Sequence, residues 1–119
     1  MNFLSRYQRQ IAFRGIGEPG QARLALARAT IIGVGALGTA IANSLCRAGF
    51  GFIRLVDGDR IEESNLQRQM LFDEDDAAAG RYKAEAAAAR LSRVNSAALI
   101  EPIVARADAS NIEALVGDV

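Results

Sequence analysis

Gly33-Val34-Gly35-Ala36-Leu37-Gly38 places glycines in the G-x-G-x-x-G spacing, and Asp57 follows about 20 residues later. The chemistry these residues could do is to hold a nucleotide. Gly33 lets the chain turn tightly. Gly35, without a Cβ, lets main chain approach a phosphate, and Gly38 allows close packing of a helix. A helix starting here would present free N–H groups and its positive dipole end to an anion. Asp57 stands where this kind of unit places the acid that accepts ribose hydroxyls.

The flanking residues supply the elements that would position this site. Ala29–Ile32 is an apolar run predicted as the first strand, buried on both faces. Thr39–Ala48 has helical periodicity, and Gly51–Val56 is a second apolar strand ending at Asp57. Strand, glycine turn, helix, strand and acid together form a β-α-β nucleotide unit. A bare turn would need none of the flanking parts.

The remaining chain is consistent with one small α/β domain. Its 119 residues are 50% hydrophobic and carry no net charge. Bulk electrostatic attraction to nucleic acid or an acidic membrane is therefore not expected. The single cysteine, Cys46, cannot form an internal disulfide and reads as a small core side chain. There is no histidine, which removes imidazole bases and ligands, and Lys83 is the sole lysine. The opening MNFLSRYQRQ lacks the apolar run of a signal peptide, and no run approaches the ~20 apolar residues that span a bilayer. The expected location is cytoplasmic.

Before the first strand, Ser5–Phe13 reads as a helix, with Arg6 and Arg9 on a face that solvation alone would explain. Gly15–Gly20 is a break, and Gln21–Arg28 a short helix announced by Glu18 and Pro19. After Asp57 comes a long polar stretch, 57–69. Long loops at the C-terminal ends of parallel strands carry binding residues in α/β proteins, although a solvated loop is equally compatible. Arg68 offers a planar fork for phosphate, flanked by Asn65 and Gln67. Asp73–Asp76 is read as a solvated acidic loop that favours the next helix start. A metal site is set aside, because adjacent carboxylates on one loop rarely converge. The following helix is expected from Gly80 or Arg81 to Arg93. Lys83 in its first turns opposes the dipole, which either hints at an anion or marks an ordinary surface lysine. Ala98–Val104 reads as a third strand, at an edge because of Pro102. Ser110-x-x-Glu113 reads as a capping box opening a helix over Asn111–Val116.

Several strings resemble one family. They are Arg6-Tyr7-x-Arg9-Gln10, Gly17-Glu18-x-Gly20-Gln21, the glycine motif with Leu37, Asp57-x-Asp59, Ser64-Asn65-Leu66-Gln67-Arg68-Gln69, and Lys83. In this order they resemble the ThiF/MoeB/HesA family, bacterial relatives of ubiquitin-activating enzymes, over essentially the whole chain. The first and fifth strings are far more specific than the glycines. The resemblance implies an adenylyltransferase. Such an enzyme would use ATP and Mg2+ to activate the C-terminal glycine carboxylate of a small ubiquitin-like sulfur carrier protein as an acyl-adenylate. It implies that Gly33, Gly35, Ala36 and Gly38 cradle the nucleotide and that Asp57 holds the ribose. It further places Asn65, Arg68 and Lys83 at the phosphates, with Asp59 beside them, and counts Ser64, Leu66 and Gln67 among the cofactor-binding residues. Arg9, Arg68 and Lys83 take the catalytic roles, Arg9 reaching into a partner's site in a homo-oligomer, a dimer in this family.

The chain departs from the family pattern in places. Ala36 stands where many members have glycine, and Tyr82 where proline is common. The segment from Arg68 to Lys83 is slightly longer than in the shortest members. Family chains are much longer, and the expected magnesium aspartate falls beyond these residues. The reading is thus a Rossmann-like three-layer half-domain with a parallel sheet in order 3-2-1. Residues 1–28 form a helical arm and 29–119 the β-α-β-α-β-α part. Two other readings are a dinucleotide-binding module of an oxidoreductase and a non-catalytic scaffold. The oxidoreductase has no need of Ser64–Gln69 or Arg6–Gln10.

Overall fold

The computed structural model describes residues 3–119, with side chains from Ser5 onward. Three parallel strands, β1 (Arg28–Ile32), β2 (Phe52–Val56) and β3 (Leu99–Ile103), form one sheet in the order β1-β2-β3. This is the expected order. In register, Ala29, Ile53 and Ile100 form one row across the sheet, and Thr30, Arg54 and Glu101 the next.

Adjacent rows face opposite layers. Ile31, Ile53, Leu55 and Ile100 point into the core beneath α4 (Ala36–Ala48) and α6 (Lys83–Val94). Ala42, Cys46, Ala87 and Leu91 come from those helices, so Cys46 is a core residue as expected. The other face carries α7 (Ile112–Val116). The carbonyl of Leu115 accepts from Thr30 Oγ1 at 2.9 Å and from an Arg54 guanidinium nitrogen at 2.7 Å. Helices on both faces of a parallel sheet make the three-layer arrangement.

The strand buried at every position is β2, which corrects the expectation for β1. β1 pairs on one side only, and Ile32 is 47% exposed. A strand's burial follows its place in the sheet as well as its composition. Pro102 on the opposite edge strand causes no conflict.

The N-terminal segment forms three helices, α1 (Phe3–Arg6), α2 (Gln8–Ala12) and α3 (Gly17–Leu26). The expected single helix over 5–13 is interrupted at Tyr7, whose ring is buried and whose hydroxyl accepts from Asn95 Nδ2 at 2.8 Å. That tertiary anchor outweighs helical continuity. α3 begins earlier than expected, with Pro19 in its first turn where a missing N–H is harmless, and Arg28 passes to β1. The Nε2 groups of Gln10 and Gln21 both donate to the carbonyl of Ala48, at 2.8 and 2.9 Å. They satisfy the C-terminal end of α4. The arm therefore sits at the N-terminal ends of the strands.

The acidic run is not a loop. Asp73 caps α5 (Glu74–Ala79), accepting from the Asp76 amide at 2.9 Å while Asp76 accepts from the Asp73 amide at 3.0 Å. Three carboxylates then lie in the first turn, where the helix dipole favours them. α6 accordingly starts at Lys83, later than expected. The box expected at Ser110 and Glu113 does not form. Asp108 captures both the amide and the hydroxyl of Ser110, and Asn111 becomes the N-terminal residue with no side-chain cap. A carboxylate two residues upstream outcompetes the helix for the serine.

Candidate nucleotide site

The site lies at the C-terminal ends of the strands. β1 leaves the sheet at Gly33, whose φ of 92° suits glycine. A Cβ at Gly38 would collide with the Gly33 carbonyl, so helix and turn touch as the spacing predicts. α4 opens directly at Ala36 with no side-chain cap, which leaves its first amides for solvent or a ligand. The methyl of Ala36 is on an exposed residue. Gly35 faces the amide of Gln69, which would lie 3.7 Å from a Cβ there.

Asp57 is half-buried at the end of β2. Its two carboxylate oxygens accept the amides of Val34 and Asp59, each at 2.8 Å. It thus orders both the glycine turn and the start of the next loop. A cavity of about 200 Å³ opens beside it, lined by Gly33, Val56, Asp57, Asp59, Ala105 and Arg106. Arg106 lies 3.4 Å from Asp59 in an exposed ion pair.

A second cavity, about 360 Å³, is lined by Asp59, Arg60, Glu62, Asn65 and Lys83. Asp59 borders both. Lys83 is only 8% exposed and is the first residue of α6. Its side-chain ammonium makes no hydrogen bond or ion pair to any described residue, while its amide donates to the Asp59 carbonyl at 3.0 Å. A helix N-terminus gives this ammonium no electrostatic relief, whereas an anion in the cavity would. Asn65 is buried; its Oδ1 accepts the Glu62 amide at 2.8 Å, capping the short 3-10 turn Glu63–Asn65. Its Nδ2 is left for the cavity.

The rest of this string is dispersed. Ser64 is exposed and its carbonyl accepts from Arg68 at 3.0 Å. Arg68 and Gln67 are exposed, and Leu66 packs against the hydrophobic core. None of these four lines either cavity. Arg9 is exposed on α2, which the Gln10–Ala48 contact holds at the far end of α4. The 13 residues of that helix span about 20 Å, so one chain does not bring Arg9 to its own glycine turn.

Sequence reasoning missed Arg60, Glu62 and Arg106, which carry no motif spacing. Gln69 belongs to the family-like string but carries no role that sequence alone assigns. Gln69 is 4% exposed and its Oε1 is buried without a partner. Its position closing the specific six-residue string was the available signal. Among the described residues, no three His, Cys, Asp or Glu side chains cluster to hold a metal. No helix there is long and apolar enough to cross a membrane.

A glycine turn, a strand-end acid and a lysine at a neighbouring cavity mark an α/β protein of Rossmann-like class with a candidate nucleotide site. The comparisons make that specific. The ThiF family model matches residues 7–119, and the chain belongs to the ThiF family. The sulfur carrier protein ThiS adenylyltransferase of Bacillus subtilis is 49% identical over 95% of this chain and 34% of that protein. The molybdopterin-synthase adenylyltransferase of Escherichia coli is 41% identical over 95% of this chain and 45% of that protein. The chain thus spans less than half the length of these relatives. Among solved structures, PaaA superposes with a TM-score of 0.87 at 35% identity, covering 97% of this chain and 40% of that one. Escherichia coli MccB with ATP superposes with a TM-score of 0.82 at 32% identity, over 93% of this chain and 34% of that one.

Proposed function

We propose that this chain is the ATP-binding portion of an adenylyltransferase. It would activate the C-terminal glycine carboxylate of a small ubiquitin-like sulfur carrier protein in the cytoplasm. The observation that carries the reading is Lys83, 8% exposed, with an ammonium that pairs with no described residue, lining a cavity that shares Asp59 with the strand-end acid site. The names of the sulfur-carrier relatives and the ATP complex of MccB support the choice of reaction and nucleotide. Membership of the ThiF family sets the oxidoreductase alternative aside.

In this reading a carrier carboxylate oxygen attacks the α-phosphorus of ATP. The bond to the bridging oxygen breaks, pyrophosphate leaves and an acyl-adenylate remains. The transition state gathers negative charge on phosphate oxygens, so cations and main-chain N–H groups stabilise it. Gly33, Gly35, Ala36 and Gly38 cradle the nucleotide at the uncapped start of α4. Asp57 receives the ribose through lone pairs left by its two main-chain bonds, with Asp59 beside it. Lys83 and Asn65 Nδ2 meet the phosphates. Arg68 swings from the Ser64 carbonyl to join them, and Ser64, Leu66 and Gln67 form the turn that carries it. Mg2+ neutralises phosphate oxygens when bound, its aspartate ligand lying outside these residues. Arg9 comes from a second copy, as its position at the opposite end of α4 requires if it acts at all.

Calorimetry with ATP, AMP and NAD tests the reading. Weak ATP binding, favoured over NAD, is expected, and tighter binding of NAD would overturn it. The 119-residue chain alone is expected to show no carrier-dependent pyrophosphate exchange above background.

A further inference from the structure

The loop after β2 and the corner before α6 are joined by a small bridge. The Ile61 amide donates to the Arg81 carbonyl at 2.8 Å, and the Lys83 amide to the Asp59 carbonyl at 3.0 Å. Arg60 and Tyr82 stand opposite one another between these bonds in an antiparallel pair. The main chain of Lys83 is therefore fixed to Asp59, the residue shared by both cavities.

Two main-chain bonds, even with Ile61 and Lys83 buried, are a short ladder to hold a corner. The side chains reinforce them. The Arg60 guanidinium lies 4.1 Å from the centre of the Tyr82 ring. It also donates to the Tyr82 hydroxyl and to the Gly80 carbonyl, each at 2.8 Å. All three contacts fall within residues 80–82, immediately ahead of Lys83. Tyr82 itself offers no cap to α6, so its phenol serves no helix-end purpose. Gly80, in the left-handed conformation at φ 61°, ends α5 and begins the corner that Arg60 holds.

We infer that Arg60 and Tyr82 are positioning residues, a brace that holds the corner 80–82 against the loop 59–61 and so sets Lys83 in the phosphate cavity. The inference rests on the reading of Lys83 as a phosphate contact. The brace acts through Lys83 and touches no substrate itself. Cation–π contacts and charge-assisted bonds of this kind, at an exposed site, correspond to roughly a three- to tenfold change in a binding constant.

Lys83 is the only lysine, so the acylation rate of its amine, read by peptide mass spectrometry, reports its seclusion without any ligand. Arg60→Ala is expected to raise that rate severalfold and to speed exchange of the Ile61 and Lys83 amides. In calorimetry it should weaken ATP about three- to tenfold and leave adenosine unchanged. Tyr82→Phe, which keeps the ring, should lose less, and Arg60→Lys, which keeps the charge without the fork, should restore only part. In a Lys83→Ala background the effect of Arg60→Ala on ATP should vanish. A persisting effect there would mean that Arg60 meets phosphate directly, which overturns the brace. Unchanged acylation and amide exchange in Arg60→Ala would overturn it whether or not ATP binds. If Lys83→Ala leaves ATP binding intact while Arg60→Ala still exposes the amine, the phosphate reading of Lys83 fails and the brace stands as a local one.

Discussion

Asp57 accepts the amide of Val34 at 2.8 Å, so the acid that ends β2 also holds the turn that ends β1. Loop ordering and the proposed ribose contact therefore fall on one carboxylate. Asp57→Ala should cost about 1.5–3 kcal/mol of stability, the range for hydrogen bonds to a charged group. It should also weaken ATP. Asp57→Asn keeps one acceptor oxygen and should retain more of the fold than of the affinity. Urea unfolding together with ATP calorimetry separates the two effects. Unchanged stability in Asp57→Ala would show that the Val34 bond contributes nothing.

Arg68 donates to the Ser64 carbonyl, an exposed main-chain contact that is easily exchanged for a phosphate. In the full-length parent, Arg68→Ala should lose ~1.5–3 kcal/mol of phosphate interaction. Pyrophosphate exchange with the carrier protein is the measurement. Normal exchange would remove Arg68 from the site.

The acidic run divides by role. Asp73→Ala removes the cap of α5 and should cost ~0.5–2 kcal/mol, whereas Asp75→Ala, outside the capping box, should stay near neutral. Thermal unfolding of the two variants decides it, and equal losses would contradict the assigned cap.

Arg54, 8% exposed within β2, donates to both carboxylate oxygens of Asp118 at 2.6 and 2.8 Å. This pairing holds the Asp118 carboxyl well below the usual carboxylate range. A carboxyl depressed in the folded state contributes stability above its unfolded pKa of about 3.9 and loses it as pH falls towards the folded value. Asp118→Asn should therefore be less stable than wild type at pH 7. The gap should stay constant down to about pH 4 and shrink below it. A gap independent of pH would show that the charge does not matter.

Among the described residues β1 has a strand partner on one side only, and Leu37 and Ile41 are exposed on α4. Unpaired main-chain groups on a strand edge invite another chain. A homo-oligomer is expected that buries this edge or the adjoining sheet face. Sedimentation equilibrium at micromolar concentration should show it, with slowed exchange at the amides of Thr30–Ile32. A monomer with fast exchange there would contradict it.

What was legible in the sequence follows from how locally each feature is determined. The strand order holds, and local spacing also placed the glycine turn and Asp57 together at the strand ends, where the Val34 amide donates to Asp57. Tyr7 could not be read as a helix break, because its reason lies at Asn95, 88 residues away. The acidic run was misread because a cap and a solvated loop use the same residues. Within 57–82, side-chain directions depend on tertiary bonds such as Ile61–Arg81, so Arg60 and Gln69 left no periodic trace.

The string Arg6-Tyr7-x-Arg9-Gln10 looks like one motif, yet its members answer to different demands. Tyr7 and Gln10 hold Asn95 and Ala48 of their own chain, while Arg9 faces outward. A library of variants scored only on folded yield should flag Tyr7, Gln10 and Gln21 and pass over Arg9. Scored on the proposed adenylyltransferase activity, the same library should bring Arg9 up beside them. Substitution tolerance at adjacent positions would then separate what a chain needs for itself from what it supplies to its neighbour.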